Sequence, residues 1–200
     1  LKQLGYPEPP IYRFLSEIYQ AENDTAMALK VVKSGREIFP EDLNLIIEET
    51  NIYLNTNQQD KALSLLQLAA EKDDTNPTLF FAIGTNFDGM ADFEEAERNY
   101  LRAIELDPEY FDPIYNLGAL YVNKAAEIIE EANALPLSEE KKYNELKQRS
   151  DDLLKSSIPY LTKADEINPD DVSVLRTLRD IYARLGMLDK LKEIDERIDK

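Results

Sequence analysis

Tyr19, Tyr53, Phe87 and Tyr121 fall 34 residues apart, and so do Tyr12, Ile46, Phe80 and Ile114. The same period carries Ala28, Ala62 and Ala96. It also carries the small residues Gly35, Ala69 and Ala103, and the column Ser16, Thr50, Gly84 and Gly118. Self-similarity at a fixed spacing constrains a fold more than composition does. Each repeat must be one supersecondary unit, and its apolar face must be covered by its neighbours.

Within one period the apolar spacing is helical. Phe80, Ile83 and Phe87 mark one face of a helix over 78–90, and Phe93, Ala96, Tyr100, Ala103 and Ile104 mark a second over 93–106. A break near Gly89–Asp92 joins the two. Asn76–Pro77 opens the unit as a cap followed by an early-helix proline. Pro108 closes it, because proline cannot continue the hydrogen-bonded ladder. The small-residue columns mark where two helices approach closely, to about 8 Å.

These residues carry a resemblance. Residues 77–108 look like a tetratricopeptide repeat (TPR), with Phe80, Ile83–Gly84, Phe87, Ala96, Tyr100, Ala103 and Pro108 at that family's spacing. Units 9–42 and 43–76 match more loosely. Glu49 stands where the family prefers Leu, and Ser16 and Thr50 stand where it prefers Gly or another small residue. The resemblance implies an all-α fold, a right-handed α-α superhelix spanning 1–200. Residues 1–8 would be the tail of a preceding repeat. Regular repeats would follow at 9–42, 43–76 and 77–110, then an enlarged one at 111–171 and a closing one at 172–200.

The enlarged unit departs from the period. Ile114, Leu117–Gly118 and Tyr121 restart the pattern, but Leu161, Ala164 and Pro169 arrive 27 residues late. Ala125, Ile128, Ile129 and Ala132 continue the first helix, and Leu135–Pro136–Leu137 reads as a turn. Ser138 is the expected N-cap of the next helix, with Glu139 and Glu140 in its positive first turn. Tyr143, Leu146, Leu153 and Leu154 then give that helix an apolar face. The expectation is an elongated antiparallel helical hairpin in the fourth repeat, with its tip near Pro136. Pro159 is expected to kink the second helix where the hairpin rejoins the array. Leu188, Leu191, Ile194 and Ile198 form the stripe of a closing helix.

Composition narrows the function. Forty acidic against 23 basic residues give a net charge of −17. That balance disfavours nucleic acid, which needs a basic face. No apolar run is long enough to insert in a membrane. With no Cys and no His, disulfides, thiol nucleophiles, Cys/His zinc sites and histidine acid–base chemistry are excluded. Phosphate-loop, dinucleotide, zinc-protease and EF-hand motifs do not occur. Carboxylate pairs such as Glu48–Glu49 and Asp151–Asp152 are expected on solvated helix faces, since adjacent helix residues do not face each other. The reading is a non-enzyme with no cofactor. The chain opens on Leu1, not Met, a trimmed start that leaves a removed signal peptide and removed upstream repeats both open.

What remains is binding. In TPR proteins the first helices of successive units line a concave groove, and the resemblance implies the same here. Residues on those helices outside the packing columns would face it. They are Arg13, Glu17 and Gln20; Asn44, Ile47, Asn51, Leu54 and Asn55; Thr78, Phe81, Thr85 and Asp88; Asp112, Tyr115 and Asn123; and Arg176 and Asp180. Asn side chains both donate and accept, which suits an extended peptide backbone. Phe81 and Tyr115 are candidate apolar anchors. The expected ligand is a protein or peptide segment, held in the groove or on the hairpin. TPR domains that clamp a peptide's C-terminal carboxylates use Lys, Arg and Asn. The corresponding positions here include Glu17, Ile47 and Asp112, which argues against an acidic C-terminal ligand. The alternative is self-association through an apolar N-terminal edge or the hairpin.

Overall fold

A computed structural model describes residues 8–169 and 171–198. Most of the tail expected at 1–8 lies outside the described residues. The chain divides into two compact units, Leu1–Met90 and Ala91–Lys200.

The first unit holds α1 (Pro9–Ala21), α2 (Thr25–Ile38), α3 (Leu43–Asn55), α4 (Gln59–Lys72) and α5 (Pro77–Gly89). Their starts follow from local chemistry. Asp24, Asp42 and Asn76 cap α2, α3 and α5 by accepting from the backbone N–H of Met27, Leu45 and Thr78. The turns repeat as well. Asn23 and Asn57, one period apart, take φ of 61° and 56°, and Ala91 in the same column takes 58°. Asn tolerates this left-handed conformation better than other non-Gly residues.

Consecutive helices of this unit pack on each other, and α1 also touches α3. Ala28, Ala62 and Ala69 are fully buried, as the small columns require. A Cβ on Gly35 would lie 2.8 Å from Cβ and Cγ of Tyr12, so that contact is built for glycine. Among the described residues, two apolar clusters fill the interior. Tyr12, Ala28, Val32, Leu45 and Ile52 form one, and Ile46, Leu66, Ala69, Leu79 and Ile83 form the other.

The second unit holds α6 (Phe93–Leu106), α7 (Phe111–Asn133), α8 (Glu140–Ile167), α9 (Val172–Leu185) and α10 (Leu188–Ile198). Helices α7 and α8 run to 23 and 28 residues, against 13 or 14 for the helices of the first unit. They lie antiparallel. Gly118 faces Leu161, the Ser150 hydroxyl donates to the Ala125 carbonyl at 2.7 Å, and Lys142 reaches Glu131 at 3.6 Å. Near the connection their interior is Ile128, Ala132 and Leu146, flanked by Ile129, Leu135, Tyr143 and Leu153. Nearer α9 the core widens to include Leu154, Leu161, Ala164, Val174, Leu178, Ile181 and Ile194.

Two expectations need correction, at Ser138 and Leu188. Ser138 does not cap α8. Residues Leu137–Glu139 form a 3-10 turn, closed by a 2.9 Å bond from the Glu139 N–H to the Pro136 carbonyl, and α8 starts at Glu140 without a side-chain cap. Pro136 at φ −60°, ψ 151° sets the extended entry that this turn follows. Pro159 lies inside α8, as expected, where it removes one N–H from the ladder. Leu188 stands exposed, so the buried stripe of α10 begins at Leu191 and centres on Ile194. Among the described residues, no helix is long and apolar enough to cross a membrane.

Candidate binding surface

In the first unit, most residues expected along a groove are exposed. Asn44, Asn51, Leu54 and Asn55 stand out from α3, with Ile47 half-buried between them. Arg13 and Glu17 are exposed on α1, where they pair with each other at 3.4 Å. Helix α1 packs directly on α3. On α5, Thr78 and Thr85 are exposed while Phe81 and Asp88 are partly buried. The Thr85 hydroxyl is turned back to the Phe81 carbonyl at 3.0 Å. Gln20 points elsewhere. Its amide donates to Glu48 Oε1 at 2.7 Å, which commits it to holding α1 on α3.

That contact belongs to a polar network the periodicity did not reveal. Glu48 and Glu49 are 8% and 4% exposed, not solvated as expected. Ser16 Oγ joins Gln20 in donating to Glu48, also at 2.7 Å, and Arg36 Nη1 on α2 meets Glu49 Oε2 at 2.5 Å. Adjacent carboxylates on α3 thus serve two different neighbours, Glu48 toward α1 and Glu49 toward α2. Burying a carboxylate is costly unless it is paired or hydrogen-bonded; Glu49 has the Arg36 cation and Glu48 has two neutral donors. A polar residue in the leucine column and a serine in the small column were the sequence signs of it. Beside this network Tyr53 lies between two cations, Lys33 and Lys61, whose Nζ atoms stand 5.5 and 5.3 Å from its ring centre.

In the second unit, Asp112 and Asn123 on α7 and Arg176 and Asp180 on α9 are exposed. Arg176 and Asp180 share one depression of about 570 Å³ with Arg179, Asp195 and Ile198. Arg179 Nε meets Asp195 there at 2.5 Å, tying α9 to α10. Tyr115 is half-buried. Its ring stacks on Phe111 at 5.8 Å and packs against the core of this unit, so only part of it faces solvent. A second aromatic group joins α6, α7 and α8. Tyr121 stacks on Tyr160 at 5.9 Å, meets Phe93 edge-on at 5.7 Å, and donates its hydroxyl to Glu97. Burial first, then that hydrogen bond, pushes the Tyr121 phenol above its usual range.

The helical fold has counterparts among known proteins. The TPR repeat family matches residues 92–124, which cover α6 and the first part of α7. The crystal structure of MamA superposes with a TM-score of 0.71 over 95% of this chain and 89% of MamA, at 16% identity. The fold is that of TPR proteins, with one matched TPR repeat at 92–124. YrrB, a TPR protein described as having an unusual peptide-binding site, gives a TM-score of 0.62 at 17% identity, covering 92% of this chain and 84% of YrrB. The first TPR of Spaghetti (RPAP3), solved with the HSP90 peptide SRMEEVD, gives 0.52 at 19% identity over 56% of this chain and 89% of that one. At these identities the likeness is one of fold. No curated protein matches by sequence.

Proposed function

We propose that this chain is a non-catalytic interaction scaffold that holds an extended segment of a protein partner across the exposed faces of α1 and α3. The row Asn44, Asn51 and Asn55 carries this reading. These side chains are exposed, and the packing columns have no use for them. Each can donate and accept toward a peptide backbone. Arg13 and Glu17 flank the row, and Leu54 gives it an apolar contact. Repeats 9–42, 43–76, 77–110, 111–171 and 172–200 would each present such a surface. In the second unit it would run from Asp112, Tyr115 and Asn123 on α7 to Arg176 and Asp180 on α9.

The ligand differs in chemistry from the acidic peptide on the Spaghetti TPR. Glu17, Ile47 and Asp112 stand at positions where a carboxylate-binding site would carry cations, and net charge of −17 repels an acidic segment. The test compares capture of partners by the full chain and by Asn51→Ala/Asn55→Ala, both exposed positions whose substitution leaves the core intact. The double variant should lose a defined subset of bound proteins. Retention of every one of them would remove the assignment.

A second reading rests on α1. Ile11, Phe14 and Ile18 are 36%, 62% and 37% exposed, whereas Leu45 and Ile52, one period after Ile11 and Ile18, are 0% and 1% exposed beneath α2. The same columns are open in the first repeat and covered in the next. Self-association would cover them. Light scattering of the wild type and Phe14→Asp at low micromolar concentration separates the readings, since a strictly monomeric wild type eliminates this one.

A further inference from the structure

The connection between α7 and α8 carries a cavity that the packing of the pair does not use. It measures about 350 Å³ and is lined by Ala132, Leu135, Pro136, Leu137 and Tyr143, with Asn133 and Glu140 at its rim. That volume lies within the range of small binding pockets. Leu137 stands fully exposed on the 3-10 turn beside it. A lone surface leucine needs no explanation, but one at the edge of an apolar cavity offers a contact to whatever enters.

The charge around the cavity selects the occupant. From Glu127 to Glu145 the chain carries six glutamates and two lysines. Both lysines are engaged, Lys142 with Glu131 at 3.6 Å and Lys141 with Glu145 at 3.7 Å. Glu127 is paired with Lys124. Among the described residues, Glu130, Glu139 and Glu140 make no ion pair, and Glu140 lines the cavity itself. A largely apolar pocket with the unneutralised Glu140 in its lining, on an acidic stretch of chain, fits a bulky apolar side chain flanked by cations. It repels the same side chain flanked by acids.

We propose that the α7–α8 connection is a docking site for a basic partner segment, one Phe- or Leu-sized side chain entering the cavity while neighbouring Lys or Arg groups meet Glu130, Glu139 and Glu140. The site rests on the interaction-scaffold reading but is separate from the α1–α3 face, so the two can fail independently. The probe is the fluorescein-labelled peptide acetyl-Lys-Arg-Phe-Leu-Lys-Arg-amide, titrated with the full chain and followed by anisotropy at low salt. Its counterpart has Glu at all four basic positions.

The basic peptide should bind saturably, and the acidic one should bind at least about tenfold more weakly. Leu137→Ser, at a fully exposed position, should weaken the basic peptide about tenfold with an unchanged far-ultraviolet spectrum. Glu139→Gln/Glu140→Gln should weaken it and flatten its salt dependence. Asn51→Ala/Asn55→Ala should leave it unchanged. Three results would overturn the site: no saturable binding up to millimolar peptide, equal affinity for both peptides, or full affinity in Leu137→Ser. If Asn51→Ala/Asn55→Ala abolishes binding and Leu137→Ser does not, the docking site is wrong and the α1–α3 face stands.

Discussion

The short helices of the first unit and the long α7–α8 pair of the second solve one packing problem differently. In the first unit α3 is covered by α1, α2 and α4, so a polar side chain on it can find a partner in more than one direction. Glu48 finds Ser16 and Gln20 on α1, and Glu49 finds Arg36 on α2. Near the α7–α8 connection, among the described residues, the two helices pack on each other and on Leu135, and the interior there is Ile128, Ala132 and Leu146. Buried polarity returns at Ser150, which donates to the Ala125 carbonyl and accepts from Arg184 on α9 at 2.8 Å. Where a third helix arrives, polar groups can again be satisfied. The number of neighbours decides how much charge an interior tolerates.

The largest test of this contrast is Arg36→Ala. It strips Glu49 of its cation while leaving the carboxylate buried, and should cost about 3–5 kcal/mol in denaturant unfolding. Replacing both as Arg36→Met/Glu49→Leu should be neutral or stabilising, because apolar groups of similar size need no partner. If Arg36→Ala costs nothing, Glu49 is not held as described and the contrast fails.

Gly118→Ala tests the long pair through close approach rather than charge. The added Cβ would lie 2.7 Å from Leu161 Cγ, so α7 and α8 must separate or Leu161 must shift. The expected loss is about 1–3 kcal/mol. A double-mutant cycle with Leu161→Ala should recover part of it, a coupling absent if the two residues do not touch.

Tyr121→Phe probes where the pair meets α6. It removes the hydrogen bond to Glu97 and should cost about 1 kcal/mol at neutral pH. The phenol is raised in the folded state above the value of about 10 in an unfolded chain. Its stabilising contribution is therefore complete below pH 10 and is lost as pH rises through the folded value. Wild type should lose stability above pH 10 more steeply than Tyr121→Phe, and parallel curves would contradict the assignment.

The smallest effect compares turns. Asn23 and Asn57 fill the left-handed position in the first unit, but Ala91 fills it where the second begins. Ala91→Asn should stabilise by about 0.5 kcal/mol, as a shift in thermal midpoint. A loss on Ala91→Asn would show that Ala91 is retained for packing.

Much of the fold was legible before any coordinates. The 34-residue columns fixed which residues are small and buried, and Asn76 before Pro77 marked a helix start that the structure keeps. The candidate surface was legible only in part. Asn44, Asn51 and Asn55 are exposed as their phase on the helix predicts, but Gln20 has the same phase and is occupied by Glu48. Phase gives the direction in which a side chain leaves its own helix and carries nothing about what arrives from another. Tyr115 makes the same point, since the core behind it is built largely from α8 and α9, while the ring stacked on it, Phe111, comes from one turn earlier on α7 itself.

By itself the sequence determined the repeat and the helices, through a period that recurs locally and caps that act within a few residues. It also limited the chemistry, since a chain without Cys or His cannot use either. Only the tertiary structure decided that Glu48 and Glu49 are interior groups, because their partners lie 32, 28 and 13 residues away and on two other helices. The cavity beside Leu137 has the same origin. It is lined by residues of α7, of the connection and of α8 beside a 3-10 turn, and no periodic pattern encodes the space enclosed where two helices are joined.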